Sequence, residues 1–234
     1  MENIIPITVH RLNRRPESIE LSVKKMFNAG WAGSDRVAVQ YHIDELQKIG
    51  VAPPQHIPTL FALGNHMLSC SSEIQVHGDR TSGETEYVLF LQDDELFVTV
   101  GSDHTDRKLE EHSIPKSKNL CLNVMASEAW PFEEVKDHFS QLVLECTVIC
   151  NGRERPYQKD QVAALLGPDY WIETLTKRLG ALENGLVFFS GTIGTVTGLV
   201  VGERYAFRLI DPVLNRSLSH QYDCHVLTGA IEDY

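Results

Sequence analysis

Apolar residues recur along this chain with two different periods. Between residues 35 and 49, Val39, Ile43, Leu46 and Ile49 follow one another at spacings of four and three, which marks one stripe of a helix. Ser34 can cap its start and Gly50 can stop it. A weaker helical pattern passes through Ile19, Val23 and Phe27. Val51-Ala52-Pro53-Pro54 and Pro58 then form an extended, turn-rich link. Beyond it the character changes to short β-type runs separated by turn residues, at 72–77, 84–91, 95–100, 141–150, 186–190, 204–210 and 219–227. Asp93-Asp94, between the second and third runs, reads as a hairpin turn. Helices are predicted at 161–166 and 170–179. With no internal repeat, low-complexity tract or long linker, the pattern predicts an α+β protein that is mainly β. Residues 1–52 would be a helical N-terminal portion packed on a core formed by residues 53–234, in a single domain overall.

A chain of 234 residues buries enough apolar surface to fold without covalent staples. Its 42% hydrophobic and 23% charged residues are ordinary for a globular protein. The apolar runs are far too short to cross a bilayer as a helix, and Met-Glu-Asn-Ile-Ile-Pro lacks the basic start and apolar block of a secretory signal, so a cytoplasmic location and no membrane partner are expected. A net charge of −11 repels phosphate backbones, which argues against a nucleic-acid partner. An acidic protein acting on anions must concentrate positive charge, or a metal, at its site. Cys70, Cys121, Cys146, Cys150 and Cys224 include no C-x-x-C pair and read as buried, reduced thiols.

The chemistry concentrates in two stretches, Gly83-Glu84-Thr85-Glu86-Tyr87 and Gly101-Ser102-Asp103-His104-Thr105-Asp106-Arg107. Residues two apart on a strand project to the same side, so Glu84 and Glu86 point together. Two adjacent carboxylates repel unless something cationic sits between them. The hairpin through Asp93-Asp94 brings the chain back alongside, which lets Asp103 approach the pair. Three hard oxygen ligands suit Mg²⁺, Mn²⁺ or Ca²⁺. The competing reading is a solvated strand face with two exposed glutamates.

At these residues the sequence resembles the fumarylacetoacetate hydrolase family, in a divergent bacterial branch. That family carries a strand of the form Tyr-Glu-x-Glu-Leu-x-x-Val and a later Asn-Asp-x-Ser/Thr-Ala-Arg-Asp, matched by Gly83–Val88 and Ser102–Lys108 in this sequence. The resemblance extends, with gaps, from Val39 to Leu227. It takes in Pro53-Pro54, Pro58 and Phe61, then Ser117-Lys118, Asn151-Gly152, and the segment Gly185 to Gly194. It implies a mixed-β core with an open mouth holding Mg²⁺ or Mn²⁺ on Glu84, Glu86 and Asp103, in a homodimer. It further implies Arg107 beside the site, Lys118 (with Lys116 as competitor) as a site lysine, and Gly191-Thr192 as a substrate contact. His104 is a further candidate for the substrate side. Family members that act on oxo-acids often carry a His-x-x-Glu pair, for which His42 and Glu45 have the spacing. The departures are a short interval between the glutamates and Asp103, and Asp106, Lys108 and Ile193 at positions where the family has alanine, aspartate and proline.

The activity implied is metal-dependent hydrolysis of a carbon–carbon bond in a small anionic 1,3-dicarbonyl or 2-oxo acid. His42 with Glu45 would activate water, Arg107 would bind the substrate carboxylate, and Lys118 would stabilise the developing oxyanion. The alternatives are an oxo-acid decarboxylase or tautomerase on the same site, and a metal-binding protein of the same fold without catalysis.

Overall fold

The computed structural model describes residues 3–48, 53–227 and 229–230. In chain order the first elements are β1 (Asn3–Val9), β2 (Glu17–Val23), β3 (Lys25–Gly30), α1 (Arg36–Lys48) and β4 (Thr59–Leu63). There follow β5 (Leu68–Ser69), β6 (Glu73–His77), β7 (Thr81–Ser82), β8 (Thr85–Gln92), β9 (Glu95–Asp103) and β10 (Thr105–Asp106). Next come α2 (Arg107–Glu110), α3 (Ile114–Lys118), β11 (Asn123–Met125), β12 (Glu128–Pro131), β13 (Val143–Cys150) and β14 (Arg153–Gln161). The chain closes with α4 (Pro168–Leu179), β15 (Leu186–Phe189), β16 (Arg204–Asp211) and β17 (Arg216–Leu227). The protein is mainly β, as the pattern predicts.

Two sheets carry the fold. The larger is ordered β2-β1-β12-β9-β8-β15-β3-β4, with β11 and β5 joined beside β9; the smaller is β14-β13-β16-β17-β6. One apolar core lies between the sheets, where Tyr87, Leu89, Val98 and Val100 meet Leu144, Val148, Phe207, Leu209 and Tyr222, with Trp171 of α4 alongside. The larger sheet also curls on itself. Its other face closes a second core in which Ile5, Ile7 and Val9 of β1 pack with Val88, Phe90, Phe97, Val187 and Phe189. β8 is thus buried on both faces, which explains its unbroken Tyr-Val-Leu-Phe-Leu run.

The β8–β9 hairpin turns through Asp93 and Asp94, both at positive φ (53° and 62°), the conformation a two-residue turn between twisted strands requires. No helix intervenes between these strands, in keeping with the short interval in the sequence. Asn151 and Gly152, at φ 54° and 68°, make the equivalent turn between β13 and β14.

The N-terminal portion departs from expectation. β1, β2 and β3 occupy most of it and α1 is its one helix among the described residues. The stripe Ile19, Val23 and Phe27 has a spacing of four, which is also two strand repeats. On β2 the buried residues are in fact Leu21 and Val23, one strand face packed in the second core. The helix predicted at 161–166 is reduced to a single 3₁₀ turn, Val162–Ala164, because the charged stretch before it is strand β14. Residues 49–52, including the expected helix stop at Gly50, lie outside the described residues, as do the side chains of His42 and Glu45 on α1.

Cys70, Cys121, Cys146, Cys150 and Cys224 are all free, and burial pushes the Cys70, Cys121, Cys146 and Cys224 thiols up to about 12, which leaves them inert. Among the described residues no helix is long and apolar enough to cross a membrane.

Candidate metal centre

The open end of the β8–β9 hairpin builds the site. Thr85 pairs with Ser102 and Glu86 with Gly101, and the ladder continues past the strand start, where Glu84 and Asp103 exchange both backbone hydrogen bonds at 3.1 and 3.0 Å. Side chains directly opposite on an antiparallel pair share a face, so Glu84, Glu86 and Asp103 converge on the side of the second core. One ligand oxygen of each lies within 4.8 Å of the others.

Glu86 and Asp103 are almost wholly buried. Burial, reinforced by the negative charge of Asp103, holds the Glu86 carboxyl well above the ordinary carboxylate range. Burial also raises Glu84, against the pull of Arg107 and Lys118. Lys118 of α3, itself buried, donates to Asp103 Oδ2. Burial opposes its ammonium, but Asp103, Glu84 and Glu86 outweigh that and hold it above its ordinary range. Lys116 is exposed, so Lys118 is the lysine that reaches the carboxylates.

Three carboxylates, with Glu86 and Asp103 buried and Glu84 partly so, face one lysine and one arginine, which leaves a concentration of negative charge largely shielded from water. An all-oxygen donor set of that charge fits a hard divalent cation such as Mg²⁺ or Mn²⁺.

Arg107 stands next to the carboxylates and is held by protein partners. Its Nη2 sits 3.1 Å from Glu84 Oε1, Nη1 donates to Glu110 Oε2 (2.9 Å), and Nε donates to Ser82 Oγ (2.7 Å). Two protein carboxylates thus share the guanidinium, which braces Glu84 from behind. Asp106 accepts from Leu109 N (2.7 Å) and caps α2, the short helix on which Arg107 stands.

His104 lies on the opposite face of β9 from the carboxylates. Strand alternation turns it away from Asp103, into the core between the sheets. It is fully buried, with Nδ1 2.8 Å from Tyr222 Oη and Nε2 2.8 Å from Thr81 Oγ1. Both ring nitrogens are used, so none remains for a substrate. Burial, helped by the charge of Arg107, pushes its pKa down to about 3. Gly83 has no side chain because a Cβ there would meet Ser102 Oγ at 2.6 Å and run into the Tyr222 hydroxyl.

The Gly191-Thr192 segment does reach the carboxylates. Gly191 N donates to Glu86 Oε2 (2.8 Å), which needs the backbone of Gly191 at φ 84°, where an added Cβ would press on Ala32. Thr192 Oγ1 donates to the Thr85 carbonyl (2.9 Å) and accepts from Gln158 Nε2 (2.7 Å). Gln158 also accepts from Thr85 N (2.8 Å) and donates to the Ile193 carbonyl (2.7 Å), so one buried amide locks β8 to this loop. The sequence reading missed Gln158. A bulge causes its placement: pairing steps from Cys146↔Gln158 to Thr147↔Pro156, and the extra residue turns both Tyr157 and Gln158 inward. The one signal is a Tyr-Gln step after Pro156 within an otherwise charged run.

Residues 29–222 match the family described as protein of unknown function DUF2848. The chain belongs to the DUF2848 family. No curated protein sequence matches it. Among solved structures, this DUF2848 protein is similar to a yeast fumarylacetoacetate hydrolase family protein, ynq8, at 14% identity and a TM-score of 0.60, over 89% of this chain and 95% of that one. It is similar to Cg1458 at 13% identity and a TM-score of 0.62, over 92% and 85% of the two chains. It is also similar to 2-keto-3-deoxy-D-arabinonate dehydratase complexed with magnesium and 2,5-dioxopentanoate, at 13% identity and a TM-score of 0.61, over 92% and 79%. These likenesses establish the fumarylacetoacetate hydrolase fold for the DUF2848 chain.

Proposed function

We propose that this DUF2848 protein is a divalent-metal-dependent enzyme that cleaves a carbon–carbon bond in a small 1,3-dicarbonyl or 2-oxo acid by hydrolysis. The observation that carries the reading is the convergence of Glu84, Glu86 and Asp103 within 4.8 Å, with the buried Lys118 on Asp103. A fold neighbour that holds magnesium together with 2,5-dioxopentanoate supports it.

Glu84, Glu86 and Asp103 hold the cation, aimed by Arg107 and by the Gly191 N–H. When bound, a divalent cation supplies Lewis-acid stabilisation to an enolate. Lys118 keeps its proton through its carboxylate neighbours and stabilises an oxyanion formed beside Asp103. His42 and Glu45, three apart on α1, act as the base that activates water. Burial of Glu86, Asp103 and Lys118 excludes bulk water from them, which strengthens the contact between Lys118 and Asp103. As the family resemblance implies, the enzyme acts as a homodimer.

Calorimetric titration of the chelator-stripped protein with Mg²⁺ and Mn²⁺, wild type against Glu84→Ala, tests the centre. One-site binding that vanishes in the variant supports it, and a wild type that binds neither ion, with or without oxalate, sinks it. Screening acylpyruvates and oxaloacetate then tests the reaction: two acids as products mark a hydrolase, while carbon dioxide or an isomer marks a decarboxylase or tautomerase on the same site. His42→Ala should keep the metal and lose hydrolysis.

A further inference from the structure

One strand beyond Asp103, on the same face of the larger sheet, stands an amide with nothing to bond. Asn123 is fully buried in β11, and neither its Oδ1 nor its Nδ2 has a hydrogen-bond partner among the described residues. Leaving a buried polar atom unpaired is costly, because it gives up its bonds to water for nothing. Such amides are ordinarily satisfied by a water, an ion or a ligand.

The register says which. Asn123 pairs antiparallel with Asp103, so both side chains leave the sheet on one face. Further along the same ladder Ala126 N donates to the Val100 carbonyl (2.9 Å). An antiparallel ladder alternates hydrogen-bonded and non-bonded pairs, and three residues on from a bonded pair falls a non-bonded one, the kind with the closer side chains. Across β8, β9 and β11 the order is therefore Glu84, Asp103, Asn123, three oxygen-bearing side chains in one row, with Glu86 next to it.

We propose that Asn123 belongs to the metal centre, its Oδ1 supplying a fourth, uncharged oxygen to the cation beside Glu84, Glu86 and Asp103. This rests on the metal-enzyme reading above. Charge explains why an amide suits the position. Lys118 and Arg107 already offset two of the three carboxylates. A fourth carboxylate would add repulsion to a site that already gathers three, whereas an amide oxygen adds a hard ligand at no charge. With Oδ1 on the cation, Nδ2 is left to donate to an oxygen of the bound substrate.

The structure holds its own control. Asn28 of β3 is also fully buried with both amide atoms unpartnered among the described residues. It pairs with Phe189 and Phe61, with Phe189 separating it from β8, so it has no place in the carboxylate row.

The experiment is calorimetric Mn²⁺ binding to the purified full-length protein, stripped of metal, together with melting curves with and without Mn²⁺. Wild type, Asn123→Leu, Asn123→Ser and Asn28→Leu are compared. Asn123→Leu and Asn123→Ser should each weaken Mn²⁺ binding by about tenfold or more. Their metal-free melting temperature should hold while the rise on adding Mn²⁺ shrinks, and Asn28→Leu should bind as wild type does. Asn123→Ser keeps the test open should the leucine variant not fold. Unchanged Mn²⁺ affinity in the Asn123 variants, or a lowered metal-free melting temperature with the full Mn²⁺-induced rise, overturns the assignment and makes the amide structural. A wild type that binds no Mn²⁺ would instead strike the reading on which this rests.

Discussion

The last residues of β9 present two faces with opposite histories of satisfaction. On one, Asp103 meets Glu84 and Glu86 in a charge excess, with a bare amide beside it. On the other, one residue away in each direction, Ser102 and His104 join Tyr222 and Thr81 in a closed network, with Ser102 Oγ 2.9 Å from Tyr222 Oη. Tyr205 and Tyr222 also stack edge-on against the His104 ring at 5.6 Å. Both faces are buried and polar. The satisfied face stabilises the fold and positions the strand end; the unsatisfied one carries the donor set of the proposed metal centre. A buried polar cluster is therefore informative about function only once its hydrogen bonds are counted.

The sharpest way to break this comparison is Glu86→Gln. It removes one negative charge from the frustrated face and nearly conserves shape. It should weaken Mn²⁺ binding by about a hundredfold or more, as loss of a direct ligand exceeds the ~10–100-fold typical of a supporting residue. The metal-free protein should melt no lower than wild type, because a neutral amide suits a dry site that already disfavours the carboxylate. Measured by calorimetry and melting, an Mn²⁺ affinity equal to wild type would erase the distinction between the faces.

Arg107→Ala tests the same face through stability in place of affinity. It strips the counter-charge from Glu84 and Glu110 together, and breaking such a partly buried pair costs about 3–5 kcal/mol. Denaturant unfolding reads the loss, and added Mn²⁺ should restore part of it by taking over Glu84.

How far these faces are legible in the sequence depends on what each one needs. The triad follows from period-two alternation and one hairpin, both local, so Glu84, Glu86 and Asp103 are readable in order. The surroundings of Arg107 and His104 are not, because Ser82, Thr81 and Tyr222 come to them from other strands, and only Glu110, three residues on along α2, is local to Arg107. Gln158 is hidden by a bulge, and a bulge breaks the very alternation that makes strands legible. The N-terminal strands were read as helix since a spacing of four satisfies both periods. The legible strands are of two kinds, those with an unbroken buried apolar run, such as β8 and β15, and those that alternate cleanly, such as β6 and β16.

A smaller test is the pH dependence of stability without metal, where the faces pull in opposite directions. His104 is held neutral in the fold, down to about 3, whereas in the unfolded chain it takes a proton below its ordinary 6.5. The unfolded state then binds more protons, so stability is lost as pH falls from 6.5 toward 3. Glu86 works the other way. Its raised pKa makes the folded state keep a proton that the unfolded chain releases near 4.5, so stability is lost as pH rises above 4.5. His104→Phe should cost about 1–3 kcal/mol at neutral pH, by leaving Tyr222 and Thr81 short of a partner, and should flatten the acid limb. Added Mn²⁺ should flatten the other limb and leave the acid limb of the wild type in place. Acid limbs of equal steepness in wild type and His104→Phe would remove His104 from the account.

The smallest effect expected is that of Asp106→Ala, and it locates the border between the two faces. Asp106 stands where the family resemblance has an alanine, a departure that seen alone invites a role in substrate choice. In the structure its carboxylate accepts from Leu109 N and caps a helix only four residues long. Losing an N-cap costs about 1 kcal/mol, and so short a helix has little else to hold its first turn. Arg107 is the first residue of that turn, so the loss should reach the metal through the aim of Glu84 and not through any ligand. Mn²⁺ affinity should therefore fall by no more than about twofold, a shift that corresponds to ~0.4 kcal/mol, while the unfolding midpoint drops measurably. A tenfold loss of affinity with stability unchanged would instead put Asp106 on the frustrated face, beside the cation.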